Sequence, residues 1–224
     1  MSEDIAVLIQ RRLRSPRSAA VAGILYSILT TISILLVSNM VAAAPAAIDR
    51  DWLETWSDPA SLVLVLIPFA GIFFLWFTGV IRERIGDRED RFFATIYFGS
   101  AIALIVLSFI WAATIGAIFG AYAVAAEVLV DNNIFIFGFA LMGQITGNYF
   151  IRMAGVYMLS IGTVWTKAEV MPRWLTIITF IVALGFLFFA SAIREALLIF
   201  PAWVFLVSVY LLILNYRRSN EEPG

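Results

Sequence analysis

The chain contains no cysteine and no histidine. Without cysteine there is no disulfide, no thiol nucleophile and no Cys-ligated zinc or iron–sulfur cluster. Cysteine usage therefore carries no information about redox compartment. Without histidine there is no imidazole to serve as general base, metal ligand or haem ligand. Lysine is almost missing too: Lys167 is the only one among 15 basic residues. It stands beside the end of an apolar run, which excludes a buried lysine carrying a retinal Schiff base. Charge as a whole is scarce, at 14% of 224 residues, and a formal net charge of −1 offers no basic surface for nucleic acid.

What the chain has instead is apolar residues, 62% of the total. Soluble domains are roughly 45–50% apolar and about 25% charged, so too few water-facing residues are present to cover a soluble core of this composition. The expectation is an integral membrane protein, all-α and polytopic. A helix needs about 20 mostly apolar residues to cross a bilayer core. Six segments qualify: Ala19–Val41, Leu62–Ile81, Phe93–Gly120, Ile134–Trp165, Trp174–Ile193 and Ala196–Leu214. They predict one six-helix transmembrane domain over residues 18–216. A short amphipathic segment (1–17) precedes it and a short tail (217–224) follows.

Basic residues set the orientation. Arg11, Arg12, Arg14, Arg17, Arg82, Arg84, Arg88, Arg91, Lys167, Arg173, Arg217 and Arg218 fall on one side, against Arg50 and Arg194 on the other. Twelve against two places both termini in the cytoplasm, as an even number of spans also requires. The first span is too long for a signal-peptide core and reads as an uncleaved signal anchor, despite the small residues Ala42, Ala43 and Ala44 after it. Ser15-Pro16 and Met171-Pro172-Arg173 read as helix starts, and Asp87 with Asp90 can cap the third span. Trp165, Trp174 and Tyr216 are expected at the cytoplasmic interface, and Trp52, Trp56 and Tyr122 at the outer one. Residues 2–14 place Ile5, Leu8, Ile9 and Leu13 on one face, as in a helix lying on the membrane surface. Asp49–Asp58, acidic around two tryptophans, is expected to form a short interfacial helix.

Helices in lipid associate by close packing. In the third span Ser108, Ala112, Gly116 and Gly120 recur every four residues, a small-residue seam suited to an internal contact or to a homo-oligomer. Pro68 is expected to kink the second span, and Pro201 lies near the start of the sixth. In the first cytoplasmic loop Arg84, Arg88 and Arg91 alternate with Glu83, Asp87, Glu89 and Asp90, as on a solvated turn.

The fourth span carries the chemistry. Its 32 residues make about 48 Å of helix, longer than the bilayer core, so it tilts, protrudes or breaks. Gln144, Asn148 and Arg152 are spaced by four and occupy an arc of about 80°. Gly155 and Gly162 fall on or near that arc, and Tyr149 lies beside it. Such a stripe is expected to face the protein interior. Arg152 is 18 residues from Ile134 and 13 from Trp165, which puts it near mid-depth. An arginine there costs at least ~2.5 kcal/mol unless something offsets it. No carboxylate lies at that depth: all 16 acids fall in loops or near span ends, Glu127 and Glu195 being nearest. Three readings stay open: local satisfaction by Asn148, hydroxyls and water; an anion or head group in a cavity; or an acidic residue on another chain. Gly143 and Gly147 would allow a helix break whose new N-terminus faces an anion.

No catalytic constellation or metal motif is recognisable, and no cofactor is implied. The residues favour a non-enzymatic membrane protein. It would bind a lipid or small anionic ligand through Arg152, Asn148, Gln144 and Tyr149, or serve as an accessory subunit of a membrane complex. The alternative is a small solute or ion transporter or channel with Arg152 in the pathway. Three stretches carry a resemblance: a Pro-Arg start before Ala-Gly-Ile-Leu-Tyr, a charged turn before Phe-Phe-Ala-Thr, and Arg-Met-Ala-Gly-Val followed by Met-Pro-Arg-Trp-Leu. In these the chain resembles a group of uncharacterised bacterial six-span membrane proteins. The resemblance implies a bacterial inner (plasma) membrane or a similar energy-transducing membrane, and no activity or site; membrane lipids are the expected partners of any such bundle. On this topology a reporter fused after Gly224 should score cytoplasmic and one near Asp51 external; reversal of either contradicts six spans.

Overall fold

The computed structural model describes residues 16–45, 48–85, 91–124, 133–169, 171–189 and 196–221, and among them the regular structure is entirely helical. The helices are α1 (Pro16–Ala42), α2 (Arg50–Ile85), α3 (Arg91–Val124), α4 (Asn133–Gln144), a π-helical turn (Ile145–Phe150), α5 (Ile151–Ala168), α6 (Arg173–Phe189) and α7 (Ala196–Glu221). Four of them, α1, α2, α3 and α7, are long and apolar enough to cross a membrane. The run from α4 through α5 is a single path of helix divided by the π turn, and α6 is a shorter apolar helix of 17 residues. The amphipathic segment 2–14, Ser15, Asp87, Asp90, Glu127 and Glu195 lie outside the described residues.

Helix ends follow from local chemistry. Asp49 caps α2: the Trp52 amide donates to its carboxylate at 2.8 Å, and Asp51 in the first turn suits the positive end of the helix. The acidic stretch 50–58 is thus the opening of α2, where a separate interfacial helix was expected, and neither Pro59 nor Pro68 ends it. At the start of α6 the Pro172 carbonyl accepts from the Leu175 and Thr176 amides at 3.1 and 3.2 Å. α5 closes on Glu169, which takes the left-handed C-terminal conformation at φ 53°. In the last turn the Lys167 ammonium lies 5.0 Å from the centre of the Phe93 ring.

The helices pack as a ring. α1 lies against α2 and α7, α2 against α3, α3 against α5, and α5 against α6. The ring closes where the Trp203 indole on α7 donates to the Thr179 hydroxyl on α6 at 2.9 Å and stacks on Trp165 of α5. Trp165 is therefore a buried core residue, and Trp52 likewise packs inward on Phe119 and Phe139. Trp174 and Tyr216 are exposed, as residues at an interface would be. The outer surface is a broad apolar belt that includes Val65, Ile72, Ile102, Ile181 and Phe188.

Glycines set the closest helix approaches. At Gly155 an added Cβ would stand 3.0 Å from the Ala183 carbonyl oxygen, so α5 and α6 touch backbone to side. Gly162 faces the Phe180 ring of α6, and Gly116 faces Leu64 of α2. The small-residue seam of α3 is thus partly an internal contact: Ala112 is buried and Gly116 is packed, whereas Gly120 meets nothing. The tightest site is Gly23 on α1, where a Cβ would run into the Ser208 hydroxyl of α7 and lie 2.7 Å from the Phe77 ring of α2. Gly23→Val should therefore cost about 1–3 kcal/mol through overpacking, read as a lowered thermal midpoint in detergent. Gly185→Ala, which meets open space, should hold or raise it.

Candidate functional site

Gly143 and Gly147 do not break the fourth segment. The chain stays helical across them, and the strain of two poor helix formers is taken up as one wide turn. The Ile151 amide donates to the Thr146 carbonyl, five residues back, which defines the π geometry. The Thr146 hydroxyl donates to the Met142 carbonyl at 2.8 Å and helps satisfy the loosened backbone. No new helix N-terminus is created, so this turn offers no dipole end to an anion.

The three polar residues spaced by four do form a ladder. The Asn148 amide donates to the Gln144 side-chain oxygen. Arg152 Nη1 donates to both the Asn148 carbonyl and the Asn148 side-chain oxygen, each at 2.8 Å. The ladder faces outward, contrary to the expected interior stripe: Gln144 and Arg152 are exposed, Asn148 is half-buried and Tyr149 is 61% exposed. The reason lies in the π turn. On an uninterrupted helix of 3.6 residues per turn Gly155 would fall between Gln144 and Asn148 on the same arc. The wide turn at Ile145–Phe150 shifts that register, so the residues after it are rotated relative to Gln144 and Gly155 meets α6. Gly155 and Gly162 are buried there, so the polar and small halves of the stripe face different surroundings.

Among the described residues Arg152 forms no ion pair, and its remaining guanidinium nitrogens find no hydrogen-bond partner there. Its depth follows from its neighbours. The segment runs antiparallel to α3, with Tyr157 on Tyr97 and Thr146 across a cleft from Ser108. Arg152 is then level with Ile102, about 15 Å along the helix from Phe92.

A second polar group, not foreseen from sequence, lies at the centre of the bundle. The Tyr157 hydroxyl is 3.1 Å from the Thr78 hydroxyl and 3.1 Å from the Tyr97 hydroxyl, and Tyr97 donates to the Thr78 carbonyl at 3.3 Å. All three residues are essentially inaccessible. Tyr157 also packs on Phe74, Phe200 and Trp203. All three hydroxyl protons are engaged within the buried network, which reads as structural. The sequence signal is the tyrosines themselves: a tyrosine within a span needs a partner for its hydroxyl.

Compared with protein-family models, curated proteins and solved structures, the chain matches none. The architecture itself defines the class: an all-helical protein with helices long and apolar enough to span a membrane. Its most conspicuous polar site is an arginine ladder on the outside of the bundle.

Proposed function

We propose that this chain is a non-enzymatic six-span membrane protein, both termini cytoplasmic, that uses Arg152 to bind an anionic group presented within the membrane. The 133–168 segment and α6 would supply the two spans beyond the four long apolar helices. The resemblance noted above makes a bacterial inner membrane the proposed location. The observation that carries the reading is the exposure of Arg152 with only one of its nitrogens engaged. The ladder holds one edge of the guanidinium against Asn148 and leaves the rest of a planar fork for a carboxylate or phosphate.

Depth favours a carboxylate on a neighbouring helix. The guanidinium is folded back towards Asn148, away from the nearer, cytoplasmic interface where lipid phosphates lie. A second copy would not supply the carboxylate, because the acids of this chain all lie in loops or near span ends. The partner is then a different chain, and this protein an accessory subunit of a membrane complex. Truncating one member of a desolvated charge pair costs about 2–5 kcal/mol. After mild solubilisation, Arg152→Gln should recover at least tenfold less of a co-purifying membrane protein, and Arg152→Lys an intermediate amount. Loss of a bound phospholipid instead would move the reading to a lipid head group. Solute flux into proteoliposomes that Arg152→Gln abolishes would establish the transporter. Arg152→Leu without effect on binding, flux or stability would remove Arg152 from function.

A further inference from the structure

The segment that carries the ladder also carries two glycines that the fold itself does not use. Gly143 and Gly147 stand one turn apart inside continuous helix, where glycine is among the poorest formers. Neither has a left-handed φ, so backbone conformation does not demand glycine. Nor does packing. Where the bundle needs a missing Cβ the crowding is plain: at Gly23, Gly71, Gly138 and Gly155 an added Cβ would lie 3.0 Å or less from a neighbouring helix. At Gly143 and Gly147 it would meet nothing within 4 Å. The other open glycines, Gly79, Gly99, Gly120 and Gly185, stand singly, and only this pair is a turn apart.

The pair borders a charge. Gly143 and Gly147 directly precede Gln144 and Asn148, so a strip of bare backbone runs beside the polar ladder on the outer face. Gly143, Gln144 and Arg152 are exposed, and Gly147 and Asn148 are half-buried. One end of the strip lies among exposed Phe137 and Leu141. At the other end the Arg152 guanidinium is held by Asn148 through a single nitrogen. In lipid, missing side chains let a second helix approach backbone-close. A charge facing the apolar layer needs a partner of opposite sign.

Resting on the reading of Arg152 as a carboxylate binder, we propose that this strip seats one transmembrane helix of a different membrane protein. That helix crosses close over Gly143 and Gly147 and presents an aspartate or glutamate to Arg152. Charge complementarity selects the occupant. A second copy of this chain brings no acid to that level, and a twofold contact along the strip would set Arg152 against Arg152.

The test uses defined helices. The full-length protein, with a donor dye on a cysteine replacing Gly224, is reconstituted in liposomes. Acceptor-labelled leucine–alanine peptides of about 20 residues, flanked by lysines and carrying one central aspartate or asparagine, are added at rising peptide-to-lipid ratio. Energy transfer should saturate with the aspartate peptide at a ratio about tenfold below that of the asparagine peptide, and Arg152→Gln should erase the difference. Gly143→Leu with Gly147→Leu leaves the arginine in place and fills the strip. It should raise the aspartate midpoint about tenfold and hold or raise the thermal midpoint, whereas Gly185→Leu should leave binding unchanged. An aspartate preference that needs Arg152 but ignores the glycine pair would overturn the strip and leave the Arg152 reading standing. Equal transfer from both peptides, unchanged by Arg152→Gln, would overturn both.

Discussion

A helix that crosses an apolar layer must satisfy its own backbone, because the layer offers no other partner. Between Ile145 and Phe150 this chain meets that demand with a π turn, and the polar ladder lies on its outer side. Had Gly143 and Gly147 broken the helix, the freed amides would have needed a ligand or another helix. The wide turn keeps every residue helical. It also lets Ile145, Thr146 and Phe150 line a cleft on one side, while Gln144, Asn148 and Arg152 form a ladder on the other.

Around this turn the bundle is held by contacts suited to a setting where burial from water does not drive helix association. Close approaches are made at glycines on several helices: Gly23 against α7 and α2, Gly71 against Phe109, Gly138 against Ile118 and Gly155 against α6. Between them aromatic rings fill the wide spaces, with Tyr157 at the centre of tilted and edge contacts at 4.7–6.2 Å between centroids. Tyr97, Thr78 and Tyr157 bond to one another, so the centre is buried and yet polar.

Helices were legible in the sequence because long apolar runs admit few other readings. Their ends were less so. Asp49 falls in an expected interfacial segment, yet its carboxylate starts α2, because the helix begins more than three turns before hydropathy rises at Leu62. The ladder was legible as a ladder, because spacing by four is preserved into the π turn. Its direction was not. A stripe of polar and small residues on one arc looks continuous in the projection of a regular helix, but the π turn between Gln144 and Gly155 shifts the register and separates an outer face from a helix contact. Trp165 shows a similar limit: its position near a span end suggested the interface, whereas the space beside Trp203 takes it into the core. The Thr78–Tyr97–Tyr157 network joins three separate helices, and no local pattern reveals such pairing.

The central claim is the outward orientation of the ladder, and the lack of cysteine makes it directly measurable. Single cysteines at Tyr149 and Arg152, and at Ile145 and Ile151, can each carry a nitroxide label in lipid nanodiscs. Collision with dissolved oxygen, which concentrates in the hydrocarbon layer, should then broaden the electron spin resonance relaxation of the labels at 149 and 152 strongly. Those at 145 and 151 should remain shielded. Shielded labels at 149 and 152 with accessible ones at 145 and 151 would contradict the account, because the ladder would then face the bundle interior.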